Sequence, residues 1–281
     1  VIRFFQDMPT NPLLLSGLLG GLLAALACGL IGPYVITRRI VFLSGAVAHS
    51  VLAGIGAVLF INGFLLDGKR GIDPLHGAIL AAILAAFLIG LVQHNARERL
   101  DTLIGALWSV GMAMGLLLIK FTPGYNVELF SYLFGNMAIV GWQDVWLLVV
   151  LDGLIIGTAL LYHKRIMAVC LDEEYARLQG INVLRTNLVL LTLVALATVA
   201  LIRVVGLILV IALLSLPAAT AGHFTRRMPV MMGLSVLLCV SLTTFPRLAL
   251  YGTKVSPESA IVLAAGGVYL ATLAVNRLRR R

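Results

Sequence analysis

Long apolar runs separated by short polar clusters dominate this chain, and nine of them approach or exceed the length of a membrane crossing. They are Leu13–Ile36, Val41–Leu65, His76–Gln93, Thr102–Ile119, Val145–Tyr162, Asn187–Ile202, Val205–Phe224, Val230–Leu250 and Glu258–Val275. A helix needs about 20 apolar residues to span the hydrocarbon core. The sixth and seventh runs meet at Arg203 and a Val-Val pair, and form either a hairpin or one broken helix. The pattern therefore predicts an all-α, polytopic transmembrane helical bundle of nine spans, with eight as the alternative. Residues 1–281 form a single transmembrane domain on this reading.

Composition supports the pattern. The 281 residues are 60% hydrophobic and 12% charged, with a mean hydropathy of +1.04. Soluble domains carry about 25% charged residues, so a water-soluble enzyme, a disordered regulator and a fibrous protein are all excluded. The formal charge of +9 arises from 21 Lys+Arg against 12 Asp+Glu. With nine spans, fourteen basic residues fall on one side, among them Arg38, Arg39, Lys164, Arg165, Arg226, Arg227 and the C-terminal arginines, and seven on the other. This bias reads as orientation and not as nucleic-acid binding: the N-terminus is outside and the C-terminus is cytoplasmic. Cys28, Cys170 and Cys239 share no close spacing, so neither a zinc cage nor a disulfide framework follows. No cleavable signal peptide is expected, because Val1–Phe5 is short and mixed and the first long run reaches spanning length.

Two connections are longer than a turn requires. Phe121–Asp144, on the outer side, contains Tyr125, Phe130, Tyr132, Phe134 and Trp142, a density that suits an interfacial or re-entrant segment. Residues 164–186, on the inner side, hold a short amphipathic helix. Asp172 caps it, Glu173 and Glu174 occupy its first turn, Arg177 follows, and Gly180 stops it. A charged helix at the cytoplasmic face has no packing task inside the bilayer, so it is expected to touch another molecule.

Small residues recur every fourth position at Gly17, Gly21, Ala25 and Gly29 in the first span, and at Gly105, Ser109 and Ala113 in the fourth. Such stripes let helices approach closely in lipid. In the second span Gly45, His49, Ala53 and Ala57 share a face, so an imidazole projects from a stripe of small residues; Leu52 is expected to face lipid. Ionisable groups within membranes face a bundle interior or an aqueous path, and imidazole is the commonest metal ligand. A packing histidine bonded to a backbone carbonyl is the alternative. Asp152, flanked by Gly153 and Gly157, is the other buried-looking charge; a carboxyl hydrogen-bonded to a neighbouring helix accounts for it, and a metal-path role is the competing reading. Arg203, Arg247 and His223 lie near helix ends, where snorkelling explains them. Gly63–Arg70 nearly spells a phosphate-binding loop, but Arg70 stands where Ser or Thr must ligate magnesium and no strand precedes it. No nucleotide, zinc-hydrolase or dinucleotide motif is present, which points away from an enzyme.

Three stretches together resemble one family. Leu43–Gly54 is similar to a Gly-Asp-Ala-x-Ser-His-Ala-x-Leu-Pro-Gly pattern; Leu171–Val183 and Val205–Ala221, the latter with Leu216-Pro217-Ala218-Ala219-Thr220-Ala221, follow in order. Asp101–Gly105 and Tyr132–Gly135 fit as well. The chain thus resembles the permease subunits of the ABC-3 importers of zinc, manganese and iron. That resemblance implies a bacterial inner-membrane permease with no cofactor of its own, paired with a second permease copy as a homodimer. Cytoplasmic ATP-binding subunits hydrolyse ATP, and an extracytoplasmic metal-binding protein delivers the ion. It makes Asp172, Glu173, Glu174, Arg177 and Gly180 the element that couples to the ATPase, and His49 a residue of the metal pathway. One position departs: the family's Asp four residues before the histidine is Gly45 here, and its Pro is Ala53. A site poor in carboxylates and rich in nitrogen favours zinc over manganese. A permease for a chelated cargo of siderophore or cobalamin type, and an ion-gradient-driven secondary carrier, are the alternatives.

Overall fold

The computed structural model describes residues 2–8, 11–64, 71–95, 100–122, 140–253 and 255–279. Among them there is no strand. The helices are α1 (Ile2–Asp7), α2 (Pro12–Thr37), α3 (Val41–Phe64), α4 (Pro74–Asn95), α5 (Leu100–Phe121), α6 (Trp142–Leu171), α7 (Glu173–Leu178), α8 (Val183–Val205), α9 (Leu207–Phe224), α10 (Met228–Ala249) and α11 (Pro257–Arg279). Eight are long and apolar enough to cross a membrane, and α9 supplies a shorter apolar helix over Leu209–Phe224. Most of the aromatic-rich Phe121–Asp144 connection, with its Tyr132–Gly135 motif, lies outside the described residues, as does most of the Gly63–Arg70 segment.

The junction between the sixth and seventh apolar runs is a break. Gly206 has φ 78° and ψ 171°, a region open essentially to glycine alone, and its N–H closes the last turn of α8 on the Ile202 carbonyl at 3.1 Å. Gly206→Ala is expected to cost about 1–3 kcal/mol through backbone strain, read as a lower midpoint of thermal unfolding for the purified protein. An unchanged midpoint would show that the break accepts a side chain.

The helix α6 runs nine residues beyond the apolar stretch Val145–Tyr162, carrying His163, Lys164 and Arg165 on its extension. Hydropathy marks where lipid ends, whereas a helix continues until a breaker stops it. None occurs before Asp172. The expected loop at 164–186 is therefore mostly helical, and the Arg165 guanidinium lies 5.5 Å from the Tyr162 ring centroid.

The chain divides into two compact units. The first comprises Val1–Val41, Phe130–Leu161 and Ala200–Arg281. Here α2 packs against α9 and α10 through small residues. A Cβ on Gly29 would lie 2.4 Å from Val236 Cα, and one on Gly32 would lie 2.6 Å from the Leu214 carbonyl oxygen. Gly21, from the same predicted stripe, meets nothing within 4 Å. The Cys239 thiol donates to the Leu213 carbonyl at 3.6 Å, tying α10 to α9. Phe4 of α1 is fully buried and meets Tyr251 edge-on at 5.1 Å. The Tyr251 hydroxyl donates to Asp7 at 3.0 Å, a bond that raises its pKa above the usual phenol range.

Arg247 does not snorkel. It is 6% exposed, and Glu258, in the first turn of α11, is 8% exposed. The two attract electrostatically across the α10–α11 turn beside a cavity of about 500 Å³. Burial is tolerable because the opposite charge is buried with it. His223, in contrast, is exposed, 6.1 Å from the Tyr269 ring.

The second unit comprises Phe42–Leu129 and Tyr162–Val199. Its core is a set of backbone-to-backbone crossings. A Cβ on Gly54 of α3 would lie 2.1 Å from the Gly77 carbonyl oxygen of α4, and one on Gly77 would lie 2.3 Å from that of Gly54. On the next face of α3, Gly111 of α5 abuts Ser50 and Gly115 abuts Leu52. These levels rise together, so α3 and α5 run parallel. The α5 stripe that packs is thus Gly111 and Gly115, while Gly105, Ser109 and Ala113 are exposed. Leu52, expected to face lipid, is 1% exposed beneath Gly115. Gly90 of α4 meets Leu188 and Leu191 of α8, and Asn187 donates to Gln93 at 2.8 Å.

Candidate functional site

His49 lies in the first half of α3, in the second unit, and is 7% exposed. The close approach of Gly111 brings α5 against the backbone of His49 and Ser50. Trp108, three residues earlier on that face, stacks on the imidazole with centroids 4.6 Å apart and rings 27° from parallel. His49 Nδ1 is buried without a hydrogen-bond partner among the described residues, so the carbonyl-bonded packing histidine is not what the structure shows. Leaving such a group unpaired costs about 1–3 kcal/mol. One turn before it, Gly45 is buried and brings no donor atom. Ser50, next in sequence, turns its hydroxyl back to the Ala46 carbonyl at 2.9 Å. Among the described residues no group of three or more His, Cys, Asp or Glu side chains is placed to hold a metal. Among the described residues, His49 Nδ1 is thus a buried imidazole nitrogen left without a hydrogen-bond partner.

Asp152 lies on the part of α6 that belongs to the first unit, whereas His49 belongs to the second. It is 2% exposed, and neither carboxyl oxygen has a hydrogen-bond partner among the described residues. The expected bond to a neighbouring helix is thus missing. Gly153 and Gly157 beside it have open space where a Cβ would stand.

The α7 element, capped at Asp172 and stopped at Gly180, is sharply built. Asp172 Oδ1 accepts from the N–H groups of Glu174 and Tyr175 at 2.9 and 3.1 Å, which caps α7. At the other end Gly180 has φ 76°. Its N–H bonds the Arg177 carbonyl at 3.0 Å, and the Ile181 N–H bonds that of Ala176 at 3.1 Å. This paired closure is the glycine-terminated helix stop. Ala176 is buried with Val169 and Val183, and Ile181 packs against them, so the element is seated on the ends of α6 and α8. Its outer face is not merely charged: Tyr175 is 58% exposed and Leu178 86%, beside the exposed Glu174 and Arg177.

Sequence reasoning did not single out Trp108, although its spacing of three from Gly111, and of seven from Gly115, places it on the face that those glycines open. It also did not single out Gln93 and Asn187, two amides near the ends of apolar runs.

Comparison with known proteins agrees with this architecture. Residues 10–276 match the family described as the ABC 3 transport family. A protein of Chlamydia trachomatis named a probable metal transport system membrane protein is 36% identical over 95% of this chain and 90% of its own length. The manganese transport system membrane protein MntC of Halalkalibacterium halodurans is 31% identical over 84% of this chain and 78% of its own. Among solved structures, PsaBC from Streptococcus pneumoniae in complex with Fab superposes with a TM-score of 0.83 at 27% identity, over 96% of this chain and 94% of that one. With a bundle of membrane-length helices, a short helix seated on the ends of two of them and a match along almost its whole length, the chain belongs to the ABC 3 transport family, as a transmembrane permease subunit.

Proposed function

We propose that this permease carries a divalent transition metal ion inward, powered by ATP hydrolysed on separate cytoplasmic subunits. The observation that carries the reading is His49, a buried imidazole whose Nδ1 has no hydrogen-bond partner among the described residues, on a membrane-length helix. On this reading the working unit is a homodimer in the bacterial cell membrane, with its arginine-rich C-terminus cytoplasmic and a metal-binding protein delivering the ion outside. Asp152 is a second, lesser residue of the path, supported by its burial without a hydrogen bond among the described residues.

Zinc is the favoured ion on donor chemistry. With Gly45 in place of a carboxylate, the path offers nitrogen, which suits zinc better than manganese. Manganese is the second reading, favoured by relatives named as manganese transport proteins. Uptake of zinc by the intact complex in vesicles, with manganese or iron as competitor, separates them. Zinc uptake that manganese suppresses at equal concentration would favour manganese. Uptake of a chelated metal in preference to the free ion would point to a siderophore or cobalamin type of cargo instead.

The α7 element is the contact for the ATPase. Exposed Tyr175 and Leu178 beside Glu174 and Arg177 form an apolar patch with a charged rim, the composition of an interface and not of a solvated face. Reversing the charges with Glu173→Lys, Glu174→Lys and Arg177→Glu together is expected to uncouple ATP hydrolysis from metal uptake, lowering uptake per ATP at least about tenfold while the permease still folds. Coupling equal to wild type would move the contact elsewhere.

A further inference from the structure

We infer that Trp108 is a positioning residue for His49, holding the imidazole at the angle at which a ring nitrogen meets the metal. The inference rests on the reading of His49 given above. The terminal torsion of a histidine is broad and roughly two-fold, so burial alone does not decide where Nδ1 points, and among the described residues Nδ1 has no hydrogen bond to set it. Nor does the preceding turn of α3 offer a side chain at Gly45 to hold the ring. What bears on the ring is the indole of Trp108, 4.6 Å away and 27° from parallel.

The chemistry of the two contacts makes them compatible. Stacking uses the π face of the imidazole, whereas ligation uses a lone pair in the ring plane. An indole lying on the face therefore restricts rotation without covering the nitrogen. The backbone sets the indole in turn: a Cβ on Gly111 would lie 3.0 Å from Ser50 Cα, and one on Gly115 would lie 2.7 Å from the Leu52 carbonyl carbon. This close crossing of α3 and α5 is what sets Trp108 against His49. In a permease lacking the carboxylate four residues before its histidine, the aromatic wall orients the imidazole by stacking alone.

The test uses zinc ion and the full-length permease in lipid nanodiscs, with equilibrium binding as the readout, and uptake by the complete complex beside it. Trp108→Phe keeps an aromatic face, and Trp108→Leu fills space without one. The phenylalanine variant is expected to bind zinc within about twofold of wild type. The leucine variant is expected to bind about threefold to tenfold more weakly, the range that an aromatic pair is worth. Leucine binding equal to wild type, or equal weakening in both variants, would overturn the positioning role. His49→Ala run in parallel keeps the two readings apart. If it binds zinc as wild type does, the metal role of His49 fails and this inference with it; if it alone loses zinc while Trp108→Leu does not, only the positioning role fails.

Discussion

His49→Ala is expected to lower ATP-dependent metal uptake at least about tenfold while leaving assembly and ATPase binding intact. The side chain is 7% exposed, so its removal opens a small void, but it takes away the one imidazole that this part of α3 presents. Loss of an outer hydrogen-bond partner of a metal ligand already costs about 10–100-fold, and loss of the ligand itself should cost no less. Because a proton competes with the metal for the same nitrogen, wild-type uptake should fall as the medium is acidified. The converse substitution, Gly45→Asp, places a carboxylate one turn before His49 on the same face. It is expected to raise the metal retained per permease and to slow release, since stronger binding deepens the well that the ion must leave. Metal uptake by vesicles at matched protein levels, with bound metal measured alongside, reads both variants. Normal transport by His49→Ala, with no extra metal on Gly45→Asp, would make this histidine a packing residue and turn attention to Asp152.

The second large effect is mechanical. Gly54→Ala is expected to destabilise the second unit by about 3 kcal/mol, at the upper end of the usual range for overpacking. The new methyl group would stand 2.1 Å from the Gly77 carbonyl oxygen and 2.6 Å from Ala81 Cβ. The nearest obstacle is backbone, so no side chain can rotate away, and α3 and α4 must separate. Gly153→Ala is the control. It meets nothing within 4 Å and should stay within about 0.5 kcal/mol of wild type, as surface substitutions usually do. Thermal unfolding of the two purified variants decides the matter, and equal midpoints would mean that the α3–α4 crossing has slack. The same crossing links the helix that carries His49 to α4, which joins α8 through Gln93 and Asn187. The α7 element seated at the start of α8 is thus tied, contact by contact, to the helix of the candidate site.

Much of this was legible in the sequence because lipid imposes length. An apolar run of about 20 residues has few other solutions, so most spans emerge to within a few residues, although the seventh predicted run, Val205–Phe224, yields only the shorter apolar helix α9. The cap at Asp172 and the stop at Gly180 were legible for a local reason, since both depend on chemistry within one helical turn. What escaped was which face of each helix meets which neighbour. The helix α5 carries two small-residue stripes, and nothing in the sequence says that Gly111 and Gly115 pack while Gly105 and Ser109 stay exposed. Leu52 was misplaced for the same reason. Arg247 looks like a snorkelling helix-end arginine until Glu258, eleven residues later, is seen buried beside it. The length of α6 escaped because polar residues end a membrane crossing without ending a helix. The pairing of Trp108 with His49 joins residues 59 apart in sequence through a glycine-mediated crossing, a contact that needs the fold.

The most direct test of ATP-driven metal import is accumulation of zinc and of manganese by sealed vesicles holding the permease, its ATPase and the metal-binding protein, with ATP supplied on the cytoplasmic side. At least one of the two ions is expected to accumulate against its gradient only while ATP is hydrolysed, and to stop when the ATPase is omitted. Accumulation that continues without ATPase and follows an imposed ion gradient would contradict the account and identify a secondary carrier.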